Sequence, residues 1–245
     1  MISSLIFSFL LSPNALLIAA AVVPAAVLMI YIYRKDRLEK EPTSLLVSLL
    51  LWSIAATFLA VVAESVGAAA LAFFLPGGEN NRAYAVWMYF IVVALSEEGF
   101  KYLILRWRTW RSPQFNCSFD GVVYAAFVSL GFALWENIGY VLMYGLGAAL
   151  MRAITAVPGH ASFGVFMGAY YGLARRSENR GEHGLSVFWR FLAVLIPTLI
   201  HGMYDYIAVS ETETISGTFV ASVLIVFVLA FVLIRQLSKR DEYIG

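Results

Sequence analysis

Charged residues are scarce in this chain of 245 residues, since Asp, Glu, Lys and Arg together make up only 13% of it. A soluble domain carries roughly 25% charged and at most about 50% apolar residues. Here 61% of the residues are hydrophobic and the mean hydropathy is +0.78. This composition excludes a soluble globular enzyme and a disordered protein. It predicts a multi-pass protein of the cell membrane whose surroundings are the lipid bilayer.

An excess of basic charge is also absent. The 17 Lys and Arg residues are balanced by 16 Asp and Glu residues, which gives a formal net charge of +1. Nucleic-acid binding depends on basic side chains that neutralise phosphates, so we predict no nucleic-acid partner. The single cysteine, Cys117, has no partner for an intrachain disulfide and gives no indication of redox compartment.

Seven apolar segments are long enough for a transmembrane helix, which needs about 20 residues. They cover residues 14–33, 44–75, 83–105, 119–144, 147–173, 187–209 and 215–234. Residues 1–12 are apolar but short, and we predict an interfacial or re-entrant segment because a signal-peptide pattern is missing. No internal repeat or long linker is apparent. The sequence therefore predicts an all-α, polytopic helix bundle that forms a single integral membrane domain over residues 1–245, with a motif-bearing core at residues 83–209.

The basic residues are distributed unevenly between the two sides of this predicted bundle. On one side there are 14, in the segments after the first, third, fifth and seventh spans, whereas the other side has only Arg82 and Arg152. Cytoplasmic segments of membrane proteins carry the excess of Lys and Arg. We therefore predict that the N-terminus lies outside and the C-terminus lies in the cytoplasm.

Polar side chains that are costly in lipid interrupt four consecutive predicted spans. They are Glu97, Glu98 and Lys101 in the third span, Glu136 and Asn137 in the fourth, His160 in the fifth, and His201 and Asp205 in the sixth. One charge at the middle of a bilayer costs about 2.5–3.5 kcal/mol even on the lenient insertion scale. We therefore predict that these residues converge on one polar cavity between mid-membrane and the outer leaflet.

The spacing of these residues predicts specific contacts. His201 and Asp205 are four residues apart and share a helix face, so Asp205 is expected to hold one ring nitrogen and leave the other free for water or a metal. Lys101 is three residues after Glu98 and four after Glu97, and it is predicted to pair with either carboxylate.

A glycine repeat supports the same convergence. Gly164, Gly168 and Gly172 recur every four residues in the fifth span. Such a stripe of small residues lets two helices approach closely. We expect it to press His160, at one end of the stripe, against a neighbouring helix.

Several of these residues also have simple structural interpretations. The Glu98–Lys101 pair is compatible with a role in fixing helix register. Asp120 is predicted to be a helix N-cap, and Asn137 to make a hydrogen bond between helices. Glu64 lies beyond the middle of its span and is predicted to be solvated near the outer face.

The polar set fits more than one chemistry. A glutamate can activate water for attack on a carbonyl while a histidine or an amide stabilises the oxyanion. Zinc could instead bind to Glu136, His160, His201 and Asp205. We favour no metal cofactor, because there is no His-Glu-x-x-His segment and Lys101 would repel a nearby dication. An ion- or proton-coupled transporter or channel is the alternative function, although no inverted repeat is apparent.

Four motifs in order resemble the PrsW family of intramembrane proteases, which is related to the CAAX prenyl proteases and the bacteriocin-processing enzymes. They are Glu-Glu-x-x-Lys, Gly-Phe-Ala-x-x-Glu-Asn, His-x-x-x-Gly and His-x-x-x-Asp, which extend from Glu97 to Asp205 over about half of the chain. Where the CAAX pattern has Phe-x-x-x-His, this chain has Phe132 followed by Glu136. That departure leaves open whether the site is glutamic or metal-dependent.

The resemblance implies an intramembrane endopeptidase that acts on a membrane-anchored protein. By analogy with bacterial members, it implies an anti-sigma factor of the envelope stress response as the substrate. Glu97 would be the base. The implied catalytic residues are Glu97, Glu98, Glu136, His160 and His201, supported by Lys101, Asn137 and Asp205.

Overall fold

The computed structural model describes residues 13–75, 78, 81–210 and 217–244. The predicted interfacial segment, residues 1–12, lies outside these residues. Within the described part the chain is almost entirely helical, which confirms the all-α prediction. The β-pairing found there is one isolated bridge between Cys117 and Tyr243.

The helices follow one another through short connections. In chain order they are α1 (Pro13–Lys35), α2 (Thr43–Phe74), α3 (Arg82–Trp87), α4 (Leu95–Thr109), α5 (Asp120–Ile154), α6 (Ala156–Asn179), α7 (His183–Ser210) and α8 (Gly217–Lys239). A π-helical segment, Met88–Ala94, joins α3 to α4, so that the three pieces form one rod. Such segments are frequent at functional sites, and this one ends three residues before Glu97.

Five of the described helices are long and apolar enough to cross a membrane, namely α1, α2, α5, α7 and α8. The protein is therefore a multi-pass membrane protein. The other two predicted spans correspond to the α3–α4 rod and to α6. Both are less apolar, because α4 carries Glu97, Glu98 and Lys101 and the end of α6 carries Arg175 and Arg176. The count of seven spans and their orientation stay predictions.

The predicted break between the fourth and fifth spans coincides with an interruption of the helix, but the fifth span joins two helical pieces. Gly145, with φ 76° and ψ −164°, departs from helical geometry and kinks α5, and a second helical piece of α5 continues to Ile154. A further interruption at Thr155 follows, so the long helix of the fifth span begins at Ala156 instead of residue 147. Pro158 therefore lies in the first turn of α6, where its missing N–H costs no hydrogen bond. The segment after the kink turns out to contribute to the site.

The predicted glycine seam lies between α5 and α6. A Cβ atom added at Gly164 would lie 2.7 Å from Cβ of Ser129, and one added at Gly121 would lie 2.7 Å from the carbonyl oxygen of Gly168. This close approach lets the Ser129 hydroxyl donate to the carbonyl oxygen of His160 at 2.6 Å. The prediction that the seam presses His160 against a neighbouring helix is confirmed.

The C-terminal tail, residues 240–244, docks at the opposite end of α5 and α6 from His160. The Ile244 N–H donates to the carbonyl oxygen of Asn116 at 2.8 Å, and the Ser118 N–H donates to that of Glu242 at 3.0 Å. Glu242 also pairs with Arg176 at 2.6 Å. These bonds connect the end of the chain to the loop before α5.

The prediction that Asp120 is an N-cap is wrong. Asp120 is the first residue of α5, is fully buried, and accepts from the N–H groups of Asn116 at 3.0 Å and Cys117 at 2.7 Å. Asp241 of the tail instead accepts from the Phe119 N–H at 2.9 Å. A residue distant in sequence thus supplies the acceptor that a local cap would provide.

Candidate active site

A polar cavity of about 270 Å³ lies between α2, the α3–α4 rod, α5, α6 and α7. The structure brings five of the predicted site residues together in its lining: Glu97, Glu136, His160, His201 and Asp205. The other three, Glu98, Lys101 and Asn137, are fully buried behind it. The four interrupted spans therefore converge on one site.

Two adjacent glutamates at the start of α4 have different surroundings. Glu97 lines the cavity, whereas Glu98 is 0% exposed. Lys101, one turn later, pairs with Oε2 of Glu97 at 3.0 Å and with Oε1 of Glu98 at 2.7 Å. The predicted pairing is present with both carboxylates, which gives each buried acid a compensating charge.

His201 lies between two carboxylates. Its Nδ1 is 2.9 Å from Oε1 of Glu98, and its Nε2 is 3.3 Å from Oδ2 of Asp205. The predicted contact between His201 and Asp205 is therefore present, but the expectation that the other ring nitrogen is free for water or a metal is wrong, because that nitrogen contacts Glu98. Because both ring nitrogens face carboxylate oxygens, a doubly protonated ring satisfies both contacts. Phe163 of α6 stacks on the ring at 4.6 Å and fixes its plane.

His160 connects Lys101 to Glu136. Its Nδ1 is 3.0 Å from Nζ of Lys101, and its Nε2 is 3.0 Å from Oε2 of Glu136. An ammonium group only donates, so Nδ1 is the acceptor and Nε2 donates its proton to Glu136. Lys101 thus contacts three polar groups, and its ammonium also lies 4.2 Å from the ring centre of Phe132. This contact is a cation–π interaction that further offsets the burial of the charge.

Arg152 is a site residue that was predicted to lie on the outer side, near the start of the fifth span, without a role in the cavity. Its guanidinium pairs with Oε2 of Glu136 at 2.9 Å, its Nε donates to Oδ1 of Asn137 at 2.8 Å, and it lies 3.9 Å from the ring centre of Tyr140. The kink at Gly145 returns the end of α5 to the cavity. Its signal in the sequence was one arginine within a predicted span.

Asn137 also makes the predicted contact between helices. Its Nδ2 donates to the carbonyl oxygen of Ala21 in α1 at 3.3 Å. Glu64, expected to be solvated near the outer face, lines the polar cavity from α2. The signal in the sequence for its place in the cavity was a single carboxylate in a long apolar span.

The described residues contain two groups of side chains with the spacing of metal ligands. They are Glu97 with Glu98 and His201, and Glu97 with Glu136 and His160, with the ligand atoms of each group within 4.8 Å of one another. The predicted set of Glu136, His160, His201 and Asp205 differs from both. Carboxylate oxygens and imidazole nitrogens suit zinc.

The positive charges around these groups do not suit zinc. Lys101 lies 3.0 Å from both Glu97 and His160, and Arg152 lies 2.9 Å from Glu136. A dication bound to these oxygens would face both cations at short range. The donor types therefore fit a metal, while the charges in this arrangement do not.

Residues 41–234 match the family described as PrsW family intramembrane metalloprotease. The chain is 33% identical over 195 residues to a Protease PrsW of Geobacillus kaustophilus, covering 80% of each chain. It is 32% identical over 191 residues to that of Bacillus subtilis, covering 78% of this chain and 82% of the relative. It is 31% identical over 229 residues to that of Clostridioides difficile, covering 92% and 90%.

No solved structure matches the chain. The family match nevertheless includes every polar residue of the cavity described above and most of the helices that position them. The chain belongs to the PrsW family of intramembrane proteases.

Proposed function

We propose that the polar cavity is where this protease hydrolyses a membrane-anchored protein, and that Glu97 activates the water. The observation that supports this assignment is the contrast between adjacent glutamates. Glu97 reaches the cavity, while Glu98 is enclosed by Lys101 and His201. Of these two adjacent glutamates, Glu97 is the one in a position to take a proton from a water that attacks the substrate.

The proposed reaction begins when Glu97 accepts a proton from water. The water oxygen bonds to the peptide carbonyl carbon, and the carbonyl π electrons move to its oxygen. When this intermediate collapses, the C–N bond breaks and Glu97 returns the proton to the leaving amine. The Lys101 ammonium, 3.0 Å from Oε2 of Glu97, balances the negative charge of the carboxylate before the attack.

His201 is the proposed stabiliser of the oxyanion. Glu98 fixes its ring through Nδ1, and its Nε2–H lies at the cavity 3.3 Å from Oδ2 of Asp205, so that in this proposal the proton is shared between Asp205 and the oxyanion. An N–H directed at the developing negative charge supplies the electrostatic stabilisation that acyl-transfer sites use. In this assignment Glu98 and Asp205 are positioning residues. His160 is the proposed group that orients the water from the cavity wall, together with Glu136, to which its Nε2–H donates at 3.0 Å.

A metal-free glutamic mechanism fits the charges of the cavity best. A zinc enzyme is the second candidate, since the family description names a metalloprotease and the described residues include two groups of suitable donors. Purified enzyme in liposomes, treated with a chelator and analysed for bound metal, separates the two. We expect full cleavage without stoichiometric zinc. Loss of cleavage that zinc restores would assign the reaction to a metal.

The proposed substrate is a membrane-anchored protein, and within that class an anti-sigma factor of envelope stress signalling. The family resemblance supports the second part. A transporter is not favoured, because the relatives compared above are all proteases.

The membrane proteome of a strain that lacks this gene tests the function. The strain is complemented with wild type, with Glu97→Ala, or with Glu182→Ala, which changes an exposed glutamate outside the cavity. We expect shortened single-span proteins with wild type and Glu182→Ala only. Identical fragments with Glu97→Ala would overturn the proposed function.

A further inference from the structure

An apolar pocket of about 250 Å³ adjoins the polar cavity between α6, α7 and α8. Phe163 and Tyr204 line both spaces, so the two spaces meet at these rings. Phe163 is also the ring that stacks on His201 at 4.6 Å. The pocket therefore begins beside the proposed oxyanion stabiliser.

We propose that this pocket is a specificity subsite that receives one large apolar side chain of the substrate next to the scissile bond. The inference rests on the proposed function, because it presumes that a peptide bond is cleaved in the adjoining cavity. Its occupant is a substrate side chain such as that of Leu, Met or Phe.

The volume of the pocket fits one such side chain. A cavity of about 150 Å³ lined by apolar side chains is enough to hold benzene, and this pocket has about 250 Å³. A Phe or Leu side chain is therefore accommodated, while a second residue of that size is not. A small side chain such as Ala would leave most of the pocket unfilled and gain little from burial.

The lining excludes charged side chains. Leu199 and Met203 of α7 and Val223 and Val226 of α8 form its walls. Two lining residues carry a hydroxyl, Tyr204 and Ser222, and that of Ser222 donates to the Phe219 carbonyl oxygen of its own helix at 2.8 Å. A charge placed there would lose its hydration without gaining a charged partner from the lining.

Gly159 lines the pocket beside the two rings that the pocket shares with the polar cavity. It lies in the first turn of α6, and a Cβ atom there would lie 3.5 Å from Cζ of Phe163 and 3.8 Å from Cε2 of Tyr204. The glycine thus leaves room against both shared rings. An extended substrate backbone in the cavity has a short path for one side chain into the pocket.

The test fills the pocket from α8. Val226→Trp narrows it, and Val228→Trp is the matched control, because Val228 is 55% exposed on the same helix and does not line the pocket. The probe is a set of single-span proteins that share one apolar transmembrane segment, with Ala, Leu or Phe placed at each position in turn. Purified enzyme variants in liposomes are incubated with this set, and mass spectrometry locates the cleavage sites.

We expect wild type and Val228→Trp to cleave next to Leu or Phe. Val226→Trp should lower cleavage at those residues by at least about tenfold relative to Ala, the size of discrimination that an apolar pocket provides. Val223→Ala, which enlarges the same pocket, should shift the preference towards Phe over Leu. This second variant keeps the test informative if Val226→Trp fails to fold.

Three other results are distinguishable. Equal losses for all side chains in Val226→Trp, with Val223→Ala unchanged in preference, would overturn the subsite and indicate a lipid chain as the occupant. Cleavage by wild type without any preference for side-chain size would also overturn it. No difference between wild type and Glu97→Gln would overturn the proposed function, and the subsite with it.

Discussion

Both ends of the bundle contain buried carboxylates, but different kinds of groups bind the carboxylate oxygens at each end. At the cavity, Glu97 and Glu98 pair with Lys101, and Glu136 pairs with Arg152. At the tail end lies an acid cluster, which we define as Asp36, Glu41, Asp120 and Asp241. Its members accept mainly from uncharged groups: Glu41 from the Tyr124 hydroxyl, Asp120 from the N–H groups of Asn116 and Cys117, and Asp241 from the Phe119 N–H.

This difference in partners predicts a difference in role. A carboxylate that borders a cavity is within reach of a water beside the substrate, as a general base requires. Carboxylates of the acid cluster instead connect the loop after α1, the loop before α5 and the C-terminal tail. Burial raises the pKa of Asp36 to about 6, and burial also raises that of Glu41, despite the Tyr124 hydrogen bond. We therefore interpret the cavity as functional and the acid cluster as structural.

The largest expected effect is on the cleavage rate, and it distinguishes a histidine of the cavity from one at the other end of the bundle. His201→Ala should lower cleavage by about 10²–10⁴-fold, because it removes the proposed oxyanion donor. His183→Ala is the control, since the His183 ring pairs with Glu178 outside the cavity and its side chain is 74% exposed. Cleavage of the substrate found in the proteome comparison measures both. Full activity of His201→Ala would remove the chemical basis of the assignment.

Replacing the buried cation should cost stability as well as activity. Lys101→Met leaves Glu97 and Glu98 without their shared partner, and we expect the free energy of unfolding to fall by about 3–5 kcal/mol. Denaturant unfolding in detergent measures it. Adding Glu98→Gln to Lys101→Met should recover part of the loss. If Lys101→Met alone were as stable as wild type, the pairing would contribute little to the free energy of unfolding.

The seam that joins the two ends should be sensitive to one methyl group. Gly168→Ala places a Cβ against the backbone of Gly121 and Val122, and we expect a loss of about 1–3 kcal/mol from overpacking. Gly139→Ala in α5 is the control, because nothing lies within 4 Å of its added Cβ. In thermal unfolding, we expect Gly168→Ala to have a lower melting temperature than wild type. Gly139→Ala should have the wild-type melting temperature or a higher one. Equal destabilisation would contradict the seam geometry.

The smallest expected effect is the pH dependence of the acid cluster. The folded pKa values of Asp36 and Glu41 lie above the unfolded values, so their contribution to stability is full at pH 4 or below and is lost as pH rises towards 7. The double variant Asp36→Asn, Glu41→Gln should therefore lose less thermal stability than wild type between pH 4.5 and about 8. Parallel curves for the two proteins would contradict the assigned protonation.

The sequence predicts the helices and the convergence of the site because both depend on local spacing and on the cost of charge in lipid. Spacings of three or four residues on one helix predict the contact between His201 and Asp205 and the pairing of Lys101 with the two glutamates before it. Arg152 was missed because an apolar pattern does not show in which direction the kink at Gly145 turns the second piece of α5. Asp120 was misassigned because it accepts from Asn116 and Cys117 in the preceding loop, while the Phe119 N–H donates to Asp241, which is 122 residues away from Phe119.

The most direct test of the account compares the same substitution at the two ends. Cleavage rate and thermal unfolding are measured for Glu97→Gln at the cavity and for Glu41→Gln in the acid cluster, in liposomes and in detergent. We predict that Glu97→Gln loses about 10²–10⁴-fold in rate with wild-type stability, while Glu41→Gln keeps the wild-type rate and changes stability only. Wild-type cleavage by Glu97→Gln, or a comparable loss of rate in a folded Glu41→Gln, would contradict it.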